Sequence, residues 1–128
     1  MRTLFRRLGG LALSFIATLA PAASPGVTDG AVSIGMSAPF TGPNGAYGVA
    51  MREAIAAYFA RLNKAGGING RKVELVSLDD GYEVERTVAN TRTLINEKKV
   101  FALVAYYGSS STTSAMEVFS AEKVPLVG

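Results

Sequence analysis

The sequence predicts an α/β fold built on a doubly wound parallel sheet, and three observations carry that expectation. Short apolar runs recur at residues 31–38, 71–78, 101–105 and 124–127. Amphipathic stretches of helical period separate them, at residues 49–65 and 83–98 and from residue 109 onward. Turn-forming Gly, Asp and Pro residues mark the junctions. Strands separated by helices are βαβ units, which demand a parallel sheet with right-handed crossovers. In such sheets ligands bind beyond the carboxyl ends of the strands. The segments 38–47, 79–82 and 106–111 converge on that edge.

Residues 1–23 have the three parts of a secretory signal peptide. Arg2, Arg6 and Arg7 form a basic leader with no acidic residue, residues 8–19 are apolar, and Ala20-Pro21-Ala22-Ala23 supplies small residues for cleavage near Ala22-Ala23. The Arg6-Arg7 pair raises twin-arginine export as an alternative to the general secretory route. A short linker, residues 24–30, follows. The chain has 13 Lys+Arg and 10 Asp+Glu. Without the three leader arginines, ten basic residues face ten acidic ones, so no basic surface for nucleic acid is expected. There is no His, Cys or Trp, which removes the usual zinc sites, cysteine nucleophiles and Ser-His triads.

Residues 31–38 read as the first strand and the Gly- and Pro-rich residues 39–48 as a loop. In the helix at 49–65, Met51, Ile55, Tyr58 and Leu62 fall on one face. Gly66-Gly67 ends it, and Asn69-Gly70 adds a turn before the second strand. Asp79 to Tyr82 form the next turn. The helix at 83–98 carries Val84, Val88, Thr91 and Ile95 in register, with acids in its first turn and lysines at its end, as the helix dipole favours.

The organising stretch is residues 101–121. A buried strand breaks at Tyr106-Tyr107-Gly108 and gives way to the hydroxyls of Ser109, Ser110 and Ser111. Side-chain oxygens there suit a helix N-terminus, and the free amides with the positive helix end make a cradle for a small anion. One reading is that the cradle holds the carboxylate of a small solute; the other is that the hydroxyls only cap the helix. Tyr47 is either core packing or a ring laid against the ligand. Gly42, Gly45 and Gly48 are spaced G-x-x-G-x-x-G, not as a dinucleotide fingerprint, and no P-loop lysine follows. Asp79 and Asp80, adjacent at a strand end, point to opposite sides and suit a turn and helix cap better than a shared reaction centre. None of the three serines has a lysine at S-x-x-K spacing, and no G-x-S-x-G elbow occurs.

The runs IGMSAPFTGPNGAYG, NKAGGINGRKVELVSLDDGYE, FALVAYYGSSSTTSA and KVPLVG resemble the N-terminal part of periplasmic solute-binding proteins of the leucine/isoleucine/valine-binding type, the extracytoplasmic receptors of ABC importers. The resemblance covers residues 32–128. It implies two α/β lobes that close on solute, residues 31–128 being an incomplete first lobe and thus a fragment of a longer protein. It also implies a periplasmic location, no catalytic role, no cofactor and no metal. The partners it implies are an amino acid or similar carboxylate and the importer's membrane subunits. By this resemblance Ser109 binds the ligand's α-carboxylate, Tyr47 lies against the ligand, and Ser110 and Ser111 continue the hydroxyl run. Two other readings stay open: a ligand-sensing domain of the same fold that controls a regulator, and an exported α/β hydrolase fragment.

Overall fold

The computed structural model describes residues 24–128. The leader expected at residues 1–23 lies outside them. The elements run β1 (Ala31–Ala38), α1 (Gly45–Lys64), β2 (Lys72–Asp79), α2 (Val84–Arg92) continued by a π turn (Thr93–Glu97), β3 (Ala102–Val104), α3 (Ser109–Ala121) and β4 (Leu126–Val127). All strand pairs are parallel and the sheet order is β2-β1-β3-β4. The expected α/β fold with a parallel, doubly wound sheet is therefore what forms. No described helix is long and apolar enough to cross a membrane.

The order puts β1 inside the sheet, with β2 on one side and β3 on the other. The chain first moves one way from β1 and then crosses back past it. Right-handed crossovers turn that reversal into a change of face: α2 packs against α3, while α1 packs against β2. The carboxyl half of β1, Gly35 to Ala38, is buried throughout. A side chain at Gly35 would press on Leu103, Val100 and Leu94, with Cβ contacts of 3.0, 3.1 and 3.3 Å. Its missing Cβ is the space those core residues fill. Leu94, Ile95, Val100 and Leu103 form the centre of that core, with Val118, Phe119, Val124 and Leu126 packed around it.

Three local features differ from the sequence expectation. The first helix starts at Gly45 rather than at residue 49. Its opening turn lies directly on the preceding loop, since a Cβ at Gly48 would stand 1.8 Å from the Pro39 carbonyl oxygen. These glycines permit a close approach of helix to backbone; they do not mark a loop. The inward face of α1 also differs at one position, where Phe59 takes the place expected for Tyr58. Ile55, Phe59 and Leu62 are half-buried, whereas Tyr58 is 55% exposed, with the Arg61 guanidinium 5.5 Å from its ring centroid. The second helix, expected as one α-helix over 83–98, widens into the π turn at Thr93–Glu97, where the adjacent Leu94 and Ile95 are both buried. The turns were legible: Gly66 and Gly67 have φ of 108° and 72°, and Asn69-Gly70, at 50° and 79°, close the short bridge between Ile68 and Arg71.

Leu103 is fully buried at the centre of the core. Leu103→Ala should cost about 2–5 kcal/mol of stability, read from the urea midpoint at constant m-value. A cost well under 1 kcal/mol would show that β3 does not anchor the core.

Candidate functional site

The reversal of strand order between β1 and β3 leaves a crevice at their carboxyl ends, the place where open α/β sheets bind ligands. Four segments meet there: the β1–α1 loop, the first turn of α1, the β2–α2 loop and the segment from Ala105 to the start of α3. Asp79, the last residue of β2, ties the β1–α1 loop to the β2–α2 loop. Its Oδ1 accepts the Phe40 amide at 2.7 Å and the Gly81 amide at 3.0 Å, and its Oδ2 accepts the Thr41 hydroxyl at 2.7 Å. Arg86 reaches both its carbonyl (3.1 Å) and its carboxylate (3.5 Å). Burial works against ionisation, but the Phe40 amide, the Thr41 hydroxyl, the Gly81 amide and the Arg86 charge outweigh it and hold the carboxyl at about 2. The Arg52 guanidinium sits 4.5 Å over the Phe40 ring and steadies the same loop from α1.

Asp80 turns the other way, as adjacent strand residues must, and is fully buried. It takes hydroxyls from Ser37 on β1 (2.8 Å) and Thr87 on α2 (3.1 Å). The two aspartates thus share no open centre. Among the described residues no three His, Cys, Asp or Glu side chains come together as a metal site would need.

The rim above them is aromatic. Tyr47 stands on the first turn of α1, not in a loop, and is 57% exposed. Its ring stacks on Tyr107 with centroids 5.4 Å apart and planes 11° from parallel. Tyr82 meets the same Tyr107 at 5.5 Å and 53°. Of the two readings open for Tyr47, core packing is not the one the fold adopts. Tyr82 and Tyr107 were not singled out from sequence. The only available hints were a tyrosine after Asp-Asp-Gly and a second tyrosine after Tyr106 in a segment already placed at the rim.

The serines separate. Ser109 and Ser110 are exposed at the start of α3, whereas Ser111 is buried in the helix packing, with 3% exposure. The N-cap is Gly108, with φ 98°, and no side chain caps the helix. The expectation that these hydroxyls satisfy the first helical amides is therefore corrected. Thr112 instead bonds back to the Gly108 carbonyl at 2.9 Å. The first amides of α3 have no intrahelical acceptor, and with the helix dipole they present a positive end to the rim. Tyr106 lies below, its hydroxyl 2.9 Å from that of Thr91. Burial raises its phenol, the Thr91 hydroxyl pulls it down, and the Asp80 charge raises it further, to about 12.

Comparison with known proteins agrees with this architecture. Residues 31–128 match the family model described as periplasmic binding protein. An amino acid binding protein of Pseudomonas aeruginosa is 39% identical over 88 residues, 69% of this chain and 24% of that protein. The leucine-, isoleucine-, valine-, threonine- and alanine-binding protein of the same organism is 32% identical over 96 residues, 75% of this chain and 26% of that protein. The crystal structure of a branched-chain amino acid transporter substrate-binding protein from Streptococcus pneumoniae, in complex with isoleucine, superposes with a TM-score of 0.72 at 30% identity. That match covers 75% of this chain and 28% of the other. The chain spans about a quarter of the length of the curated relatives it matches.

The two shifted groups set the pH limits of the rim. Tyr106 is harder to ionise when folded, so its contribution is complete below pH 10 and is lost as pH rises from 10 toward 12. Tyr106→Phe should flatten that alkaline fall relative to the wild type. Asp79 has the opposite sign: its contribution is complete above about pH 4 and is lost as pH falls toward 2, so Asp79→Asn should flatten the acid arm. Urea midpoints measured across both ranges decide each case, and parallel curves for variant and wild type would refute the assignment.

Proposed function

The chain belongs to the periplasmic binding protein family, and from that membership we propose that its rim forms one wall of the solute site of an ABC importer's extracytoplasmic receptor. The observation that carries this reading is the meeting, at the β1–β3 reversal, of the open α3 N-terminus with the Tyr47–Tyr107–Tyr82 wall. The solute is an amino acid or similar carboxylate, in keeping with the amino acids that the relatives' names record. Its carboxylate sits at the α3 amides with the Ser109 hydroxyl, where charge-assisted bonds are strongest. Its side chain lies against Tyr47. Ser110 flanks the same position, and Ser111 supports it from inside the helix packing.

The role is binding, without turnover. The protein acts in the periplasm and hands its solute to the importer's membrane subunits. High affinity comes from closing a second surface over the rim, which excludes water and completes the solute's hydrogen bonds.

Isothermal titration with L-leucine, L-isoleucine, L-valine and L-alanine tests the reading. Ser109→Ala and Tyr47→Ala should each weaken the best ligand by about tenfold, the scale of one lost charged hydrogen bond or aromatic contact. Unchanged affinity in both variants would remove the rim from the binding site.

A further inference from the structure

Asp80 is fully buried beneath the rim, and the solute site described above does not use it. Among the described residues the ion pairs are those of Arg86 with Asp79 and Glu83; Asp80 has none. A buried carboxylate without a cation is costly unless hydrogen bonds satisfy it. Here three donors from three elements do so: Ser37 and Thr87 on Oδ2, at 2.8 and 3.1 Å, and the Tyr82 amide on Oδ1, at 2.9 Å. Asn90 buttresses the network by donating to the Ser37 hydroxyl at 3.2 Å and to the Asp79 carbonyl at 3.1 Å.

The third donor is the informative one. Tyr82 has φ 67°, in the left-handed region that a bulky L residue seldom occupies. The bond from its amide to the Asp80 side chain two residues back closes an Asx turn, which anchors the Tyr82 nitrogen and its peptide plane at the point where that conformation begins. The conformation in turn lays the Tyr82 ring on Gly108. A Cβ at residue 108 would come 2.8 Å from Tyr82 Cε2, so a side chain there would displace the ring from this position. Tyr107 in turn packs against both Tyr82 and Tyr47.

We infer that Asp80 is a positioning residue for the solute site: from the core, through the backbone of Tyr82, it fixes the aromatic wall that the solute meets. This inference rests on the reading of the rim as a solute site, but its first consequence, the order of the tyrosine rings, can be read without any ligand.

The experiment compares the near-ultraviolet circular dichroism of the tyrosines with L-leucine affinity by titration, in wild type, Asp80→Ala and Asp80→Asn. Asp80→Ala should keep the far-ultraviolet signal, lose much of the tyrosine signal and bind about tenfold more weakly, since a buried donor loses its acceptor. Asp80→Asn should restore both readouts, because its amide oxygen still accepts the Tyr82 N–H. Adding Tyr82→Ala to Asp80→Ala should cost little further affinity, because both act through one ring. If Asp80→Ala loses stability but keeps the wild-type tyrosine signal and affinity, Asp80 is a core residue only and the inference is overturned. Should that variant fail to fold, Thr87→Val removes one hydroxyl that holds the carboxylate and must reduce the same tyrosine signal; an unchanged signal is equally fatal. If Tyr47→Ala and Ser109→Ala leave L-leucine binding intact, the site reading fails for that solute. The ligand-free tyrosine signal still decides what Asp80 does.

Discussion

Two neighbouring carboxylates at the end of β2 hold the working edge of this protein in place. A strand sends successive side chains to opposite faces, so Asp79 and Asp80 reach different neighbours from adjacent residues. Asp79 gathers the amides of Phe40 and Gly81, the Thr41 hydroxyl and Arg86. Asp80 gathers Ser37, Thr87 and Tyr82. Loops at a sheet edge are ordinarily the mobile part of an α/β fold. Here the β1–α1 loop is tied to β2 on the outside, and β1, β2 and the start of α2 are tied on the inside. The rim residues therefore stand on a floor that hydrogen bonds define, and the tyrosines above it inherit their positions from that floor.

Glycine does the complementary work. At Gly48 it lets α1 lie on the Pro39 carbonyl, which sets where the helix starts and hence where Tyr47 points. At Gly108 it lets the Tyr82 ring lie on the chain just before α3. A helix interior loses about 1 kcal/mol for glycine in place of alanine. In α1 that loss is offset by a close approach that no other residue permits. Carboxylates hold the rim together by bonds, glycines by the absence of side chains, and the aromatic wall needs both.

How far the sequence disclosed this follows from the physics of each feature. The strands and helices were legible because hydrophobic period reports burial directly: β1 has the bounds that its apolar run implied, and the doubly wound order follows from βαβ units and handedness. The rim was legible as a place, because topology sends three known segments to one edge. Its contents were less so. Tyr58 fell out of the inward stripe although Met51, Ile55 and Leu62 stayed in it, because the neighbouring Phe59 takes the inward place at that turn. The capping role given to Ser109 to Ser111 fails because Gly108, at φ 98°, occupies the N-cap. Tyr82 and Tyr107 could not be named, since their meeting depends on a left-handed backbone at residue 82 and on a buried carboxylate. Neither leaves a periodic mark in the chain.

The same geometry limits what the rim achieves by itself. Tyr47 and Tyr82 are 57% and 47% exposed, and the α3 amides open to solvent. An exposed charge at a helix N-terminus gains about 1 kcal/mol at most, and an aromatic contact is of similar size, about 1 kcal/mol beyond its buried area. Immobilising a small solute costs about 4 kcal/mol or more, so an open wall of this kind holds it weakly. The interactions strengthen only when water is excluded, because charge–dipole energies rise as the local dielectric falls. A second surface is thus a physical requirement of tight binding at this rim. On the proposed function an ordered wall has its value at that moment: rings that already pack on one another and on Gly108 would lose little further freedom when a solute is enclosed, so more of the closing energy would appear as affinity.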